Sequence, residues 1–239
     1  MRFLGGYYAF PGGKVDESDV APRSLARCAG FATDDAERVL SPGGGGVPAL
    51  AFWITAIREL FEETGVLLAC DAAGRPLDLR DHAVASRAER CRKGVMAGAC
   101  PLGELLAAEG WLFDPRPLRY LSHFITPASS PIRFTARFFL STLPDGQEPR
   151  LFTEEASDGF LVAPGEAYRR FRAGEMAMAE PAEYALAYLA QFDSHESVLA
   201  HHADGRHKFH GILERIEFYG EGYDWSTATW TENKPGWHP

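Results

Sequence analysis

Three glutamates, Glu59, Glu62 and Glu63, stand at positions i, i+3 and i+4 of one apolar-patterned segment. Stepping roughly 100° per residue around a helix, they fall at about 0°, 300° and 40°, so three carboxylates share about 100° of one face. Leu50, Trp53, Ile54, Ile57, Leu60 and Phe61 fall at roughly 100–220°, a continuous core stripe opposite them. Like charges at these spacings repel, and near a helix C-terminus the macrodipole adds to the cost. A bound cation would relieve both. Hard divalent ions such as Mg²⁺ prefer carboxylate oxygens and water, so the cluster suits metal binding against a phosphate-bearing ligand; a solvated acidic face is the plain alternative.

The element that must carry these side chains is a helix of about four turns over Ala49 to Thr64, stopped by Gly65. Before it lies a Gly-rich loop, Gly5 to Gly13, and then residues 20–48, read as an insertion. That insertion holds a polar, helix-compatible stretch from Pro22 to Leu40 and the run Ser41-Pro42-Gly43-Gly44-Gly45-Gly46, which has no core-forming capacity. After the helix, residues 78–110 are rich in Ala, Arg and Glu and predict a second, peripheral helical segment. Leu118 to Ile125 and Arg133 to Leu143 read as paired strands, with Phe134, Ala136, Phe138 and Leu140 on one face of the second and Arg133, Thr135 and Arg137 on the other. Helices are expected from Pro164 and Pro181. Residues 1–193 therefore read as one domain, and 194–239 as an extension rich in His and Trp in which only Ile212 to Tyr219 resembles a strand.

With 239 residues, 46% apolar and 24% charged, the chain is long enough to bury a core and is not patterned as a disordered or coiled-coil protein. Its net charge of −9 speaks against nucleic acid or a membrane surface as a partner. Cys28, Cys70, Cys91 and Cys100 form no CxxC pair, which points to a reducing compartment. With no signal-like apolar run or membrane-spanning stretch in the sequence, the cytoplasm is the expected location. His195, His201, His202, His207 and His210 lack the ordered spacing of a zinc site, and His123 reads as a packing residue.

Arg58-Glu59-Leu60-Phe61-Glu62-Glu63-Thr64-Gly65-Val66 fits REUxEExGU, and Phe10-Pro11-Gly12-Gly13-Lys14-Val15 matches the loop that precedes it. Together they resemble the Nudix box, the signature of the Nudix hydrolases. In two respects the chain departs from the pattern: Asp19 takes the place of a Glu, and Arg58 follows 39 positions later rather than eight. Such a split box resembles the branch that includes coenzyme A diphosphatases. Arg2, Gly6 and Phe10 also match the latter half of the motif found upstream of the box in that branch.

The resemblance implies an α/β fold, the Nudix α/β/α sandwich with a mixed sheet, here with helical insertions. Only 12 residues precede Gly13, so the opening strands of that sandwich are expected to be missing, or replaced by Ile212 to Tyr219. An open sheet edge would favour a homodimer. The resemblance further implies Mg²⁺-dependent, or Mn²⁺-dependent, cleavage of a nucleoside diphosphate linked to another moiety, with coenzyme A or acyl-CoA first among substrates. ADP-ribose or a dinucleotide is the enzymatic alternative, and a non-catalytic nucleotide-binding module the other. Glu59, Glu62 and Glu63 would hold the metal, and Arg58 would orient them. Glu59 or Glu154 would accept a proton, with Glu155 as second choice for the loop acid, and Gly12, Gly13 and Arg137 would meet the substrate.

Overall fold

Ala49–Thr64 forms the long helix that its apolar spacing predicts, ending at Gly65 in the left-handed conformation with φ 74°, its N–H bonded to the Phe61 carbonyl at 2.9 Å. This helix belongs to a computed structural model that describes residues 7–40, 46–125, 134–150, 159–202, 223–224 and 229–230. The chain divides into two units, Pro11–Leu118 with Ser141–Gly159, and Met1–Phe10 with Arg119–Leu140 and Phe160–Pro239.

The unit built around the long helix contains α1 (Pro22–Leu25), α2 (Thr33–Leu40), α3 (Ala49–Thr64), β1 (Ala69–Cys70), α4 (His82–Met96), α5 (Leu102–Ala108) and β2 (Leu112–Phe113). Leu50, Trp53, Ile54, Ile57 and Phe61 of α3 are all buried, and Leu67, Leu68, Leu102, Leu106 and Phe113 complete the core. β1 pairs antiparallel with β2, Ala69 opposite Phe113, and Cys28 makes a parallel bridge to Phe113 from the other side. Gln147 is buried and grips Leu67 twice: it accepts from the Leu67 N–H at 2.8 Å and donates to the Leu67 carbonyl at 3.0 Å. Three residues on, the Arg150 N–H donates to the Thr64 carbonyl at 2.9 Å.

Two expectations need correction in this unit. The stretch Pro22 to Leu40 is two short helices rather than one, because Arg27 and Ala29 turn their backbones to Phe113, at 3.0 and 2.9 Å, instead of continuing a helix. The second of them also packs into the core. Ala36 and Leu40 are buried, and the Phe31 ring lies 5.1 Å from that of the fully buried Trp53. Residues 78–110 likewise form two helices, separated before Pro101, and α5 is no peripheral element, since Leu102 and Leu106 are among the most buried residues. Asp81 caps α4 by accepting from the Ala83 and Val84 N–H groups.

In the other unit, β3 (Arg119–Ile125) pairs antiparallel with β4 (Thr135–Leu140), and a register shift falls between Tyr120 and Ser122. α6 (Pro164–Arg172) and α7 (Glu180–Leu189) enclose a cluster of Ala167, Met176, Met178, Ala182 and Leu186. Phe124 of β3 stacks on Tyr184 of α7 with centroids 5.9 Å apart, and Tyr8 bridges in parallel to Met178. Packing continues past residue 193 into α8 (His195–His201): Val198 and His202 are buried, and the His202 Nε2 lies 2.6 Å from the Tyr188 hydroxyl. β5 (Tyr223–Asp224) pairs antiparallel with β6 (Thr229–Trp230). Ile212 to Tyr219, His207 and His210 lie outside the described residues. The described strands are thus antiparallel pairs, and the two parallel bridges add the second direction of a mixed arrangement.

No helix among the described residues is long and apolar enough to cross a membrane. The four cysteines are free thiols, and burial pushes Cys28 up to about 12 and Cys91 up to about 11.

Candidate active site

The side of α3 opposite its apolar stripe is not simply solvated, because the loop from Gly13 to Asp19 covers its first part. Thr55 and Arg58 on that side are buried, as is Asp19 of the loop. Arg58 is the hub. Its Nε donates to Asp19 Oδ1 at 3.0 Å and its Nη2 donates to Asp19 Oδ2 at 2.9 Å and to the Lys14 carbonyl at 2.8 Å. Its Nη1 donates to Glu59 Oε1 at 2.8 Å and to Glu62 Oε1 at 3.3 Å, the latter the i,i+4 contact expected on a helix. One guanidinium therefore ties the loop to two of the three carboxylates.

The loop holds its own shape through short-range bonds. The Asp16 N–H donates to Asp19 Oδ2 at 3.0 Å, the Ser18 N–H to Asp16 Oδ1 at 2.8 Å, and the Asp19 N–H to the Asp16 carbonyl at 3.0 Å. Gly13 lies close against Glu59: a Cβ there would fall 2.2 Å from Glu59 Oε1, so the carboxylate would have to move. Nothing lies within 4 Å of the corresponding position at Gly12, which borders open space.

Charge is strained at this point. Burial works against the Arg58 cation, but its hydrogen bonds to Asp19 and the charges of Asp19, Glu59 and Glu62 overcome this and hold it above the ordinary arginine range. Burial pushes the Glu62 carboxyl up, Arg58 pulls it down, and the neighbouring Glu59 charge pushes it up again, leaving it above the usual carboxylate value. Among the described residues no three carboxylate, imidazole or thiol groups are gathered as a ready metal cage. The donor set of Glu59, Glu62 and Glu63 is all oxygen, which fits a hard divalent cation, and Arg58 engages only the Oε1 atoms of the first two.

The backbone matches a crystal structure of a Nudix hydrolase from Alicyclobacillus acidocaldarius with a TM-score of 0.64 and 31% sequence identity, covering 84% of this chain and 83% of that one. The chain belongs to the Nudix hydrolases. No family model matches it. Acyl-coenzyme A diphosphatase NUDT19 of Gallus gallus is 29% identical over 229 residues, covering 80% of this chain and 59% of its own length. A Caenorhabditis elegans protein numbered nudix hydrolase 7 is 27% identical over 194 residues, covering 80% of this chain and 52% of its own. The chain thus spans little more than half the length of these curated relatives.

Within this Nudix fold the expected site residues divide into three groups. Arg58, Glu59, Glu62 and Gly13 come together around one guanidinium, and Glu63 follows on the same half-buried helix end. Arg137 sits on β4 in the other unit, opposite His123 in the ladder. Glu154 and Glu155 lie outside the described residues. Sequence reasoning overlooked the Lys14 carbonyl, since a backbone acceptor carries no side-chain signature, and Thr55, whose signal was its place one turn before Arg58.

Proposed function

We propose that this Nudix chain hydrolyses a phosphoric anhydride that links a nucleoside to another moiety, with coenzyme A or an acyl-CoA as the first substrate class. The observation that carries this reading is Arg58, which joins the Lys14 carbonyl and Asp19 of the loop to the carboxylates of Glu59 and Glu62. This closes the box across its 39-residue separation. The likeness to a protein named as an acyl-coenzyme A diphosphatase supports the substrate class.

Glu59, Glu62 and Glu63 would hold Mg²⁺ or Mn²⁺, which when bound neutralises phosphate charge and lowers the pKa of a coordinated water. Arg58 holds one oxygen each of Glu59 and Glu62 and so aims the two carboxylates, and Gly13 lets the loop backbone approach Glu59. Water attacks one phosphorus, its proton passes to Glu59 or Glu154, and the anhydride P–O bond breaks to release two phosphomonoesters. Arg137 is assigned to a substrate phosphate on charge alone.

The test is incubation with Mg²⁺ and a panel of CoA, acyl-CoA, ADP-ribose and dinucleotides, with products identified by mass. Release of 3′,5′-ADP and a 4′-phosphopantetheine supports the first class. Nucleotide binding with no cleavage anywhere in the panel would make the chain a recognition module instead.

A further inference from the structure

Thr55 lies on α3 one turn before Arg58, outside the box residues, and is only 7% exposed. Its hydroxyl oxygen is 2.9 Å from Asp19 Oδ2 and 2.9 Å from the carbonyl of Ala51. A hydroxyl has one proton, and both neighbours only accept, so the two bonds compete. The ionised carboxylate is the stronger acceptor and draws the proton away from the helix.

Asp19 needs that contact more than a glutamate would. Its carboxylate, 2% exposed, must meet Nε and Nη2 of Arg58 from a side chain one methylene shorter than the residue the box carries there. The other donors to Asp19 Oδ2 are the Asp16 N–H, from the loop, and Arg58 itself. Thr55 is the second α3 side chain that pulls the carboxylate toward the helix. We infer that Thr55 is a positioning residue of this site: its hydroxyl fixes Asp19, and through Asp19 the Arg58 guanidinium that holds Glu59 and Glu62. The inference rests on the site assignment made under Proposed function, and one arm of its test is independent of turnover.

Thr55→Val keeps the branched shape and removes the donor, while Thr55→Ser keeps the donor. Proton exchange at the Arg58 Nε–H, followed by ¹H–¹⁵N NMR, reads the Asp19 contact directly. Thr55→Val is expected to accelerate that exchange by roughly tenfold and to lower kcat by a similar factor with KM nearly unchanged, the size expected for a buried hydrogen bond to a charge. Thr55→Ser should rescue both. In a double-variant cycle, Thr55→Ala with Asp19→Glu should retain more activity than the two single losses multiplied, because the longer acid restores the reach.

Exchange and kcat of Thr55→Val within twofold of wild type would overturn the assignment, as would Thr55→Ser being as impaired as Thr55→Val. Should Thr55→Val fail to fold, strictly multiplicative losses in the cycle overturn it instead. If the wild type cleaves no nucleotide, the proposed activity fails, and the exchange measurement alone decides the role of Thr55.

Discussion

Asp19 and Arg58, 39 positions apart, meet through two nitrogens of the guanidinium and both oxygens of the carboxylate, with their side chains 3% and 11% exposed. Removing Asp19 leaves the buried Arg58 cation without its two-point partner, with only Glu59, Glu62 and the Lys14 carbonyl to offset it. Asp19→Ala should therefore destabilise the fold by about 3–5 kcal/mol in urea denaturation, and Asp19→Ala with Arg58→Met should recover part of that loss. A single-variant loss below about 1 kcal/mol would show the pair to be solvated in solution.

Glu62→Gln should stabilise the metal-free protein at neutral pH while weakening its response to Mg²⁺. The Glu62 carboxyl titrates above its unfolded value, chiefly because it is buried. Its contribution to stability is then fully present below the unfolded pKa, near 4.5, and is lost as pH rises through the folded value. The melting temperatures of variant and wild type should converge below about pH 4.5 and separate above it. A Mg²⁺-induced rise in melting temperature equal in both proteins would remove Glu62 from the metal set.

Gly13→Ala should leave secondary structure unchanged by circular dichroism yet lower kcat by at least about tenfold, because the added methyl displaces the Glu59 carboxylate. Unchanged turnover would mean that Glu59 moves aside at no cost to the chemistry.

His123 is half-buried, and burial, with the Arg137 charge, lowers its pKa to about 4. A depressed folded value means that its contribution is intact above the unfolded pKa, about 6.5, and declines as pH falls toward 4. His123→Phe should flatten the loss of stability across that window, and the wild-type imidazole should stay neutral at pH 5.5 in an NMR titration. A His123 resonance titrating near 6.5 would refute this.

The α3 segment was legible in the sequence because apolar stripe, acidic face and Gly65 stop agree, and its bounds fall where the periodicity places them. The paired strands and the Pro-initiated helices were legible for similar local reasons. What escaped was long-range. Nothing local at Arg27 or Ala29 tells that their backbones pair with Phe113, so the stretch Pro22 to Leu40 reads as one continuous helix-compatible run. The acidic face was visible, but the burial of Thr55 and Arg58 beside it was not, since it depends on a loop whose Asp19 stands 39 residues before Arg58. Thr55 was passed over because a helical threonine ordinarily bonds its own i−4 carbonyl, and only the fold supplies the competing carboxylate.

The Gln147 grip on Leu67 fixes position without fixing register. A side-chain amide that occupies both backbone groups of one residue imitates a neighbouring strand without sharing a ladder. A true strand pair transmits any one-residue slip along its whole length and turns every side chain to the other face. An anchor at a single residue does not. The Arg150 N–H bond to the Thr64 carbonyl therefore holds the chain one residue past Glu63 of α3 without sharing a ladder whose register the core would have to follow.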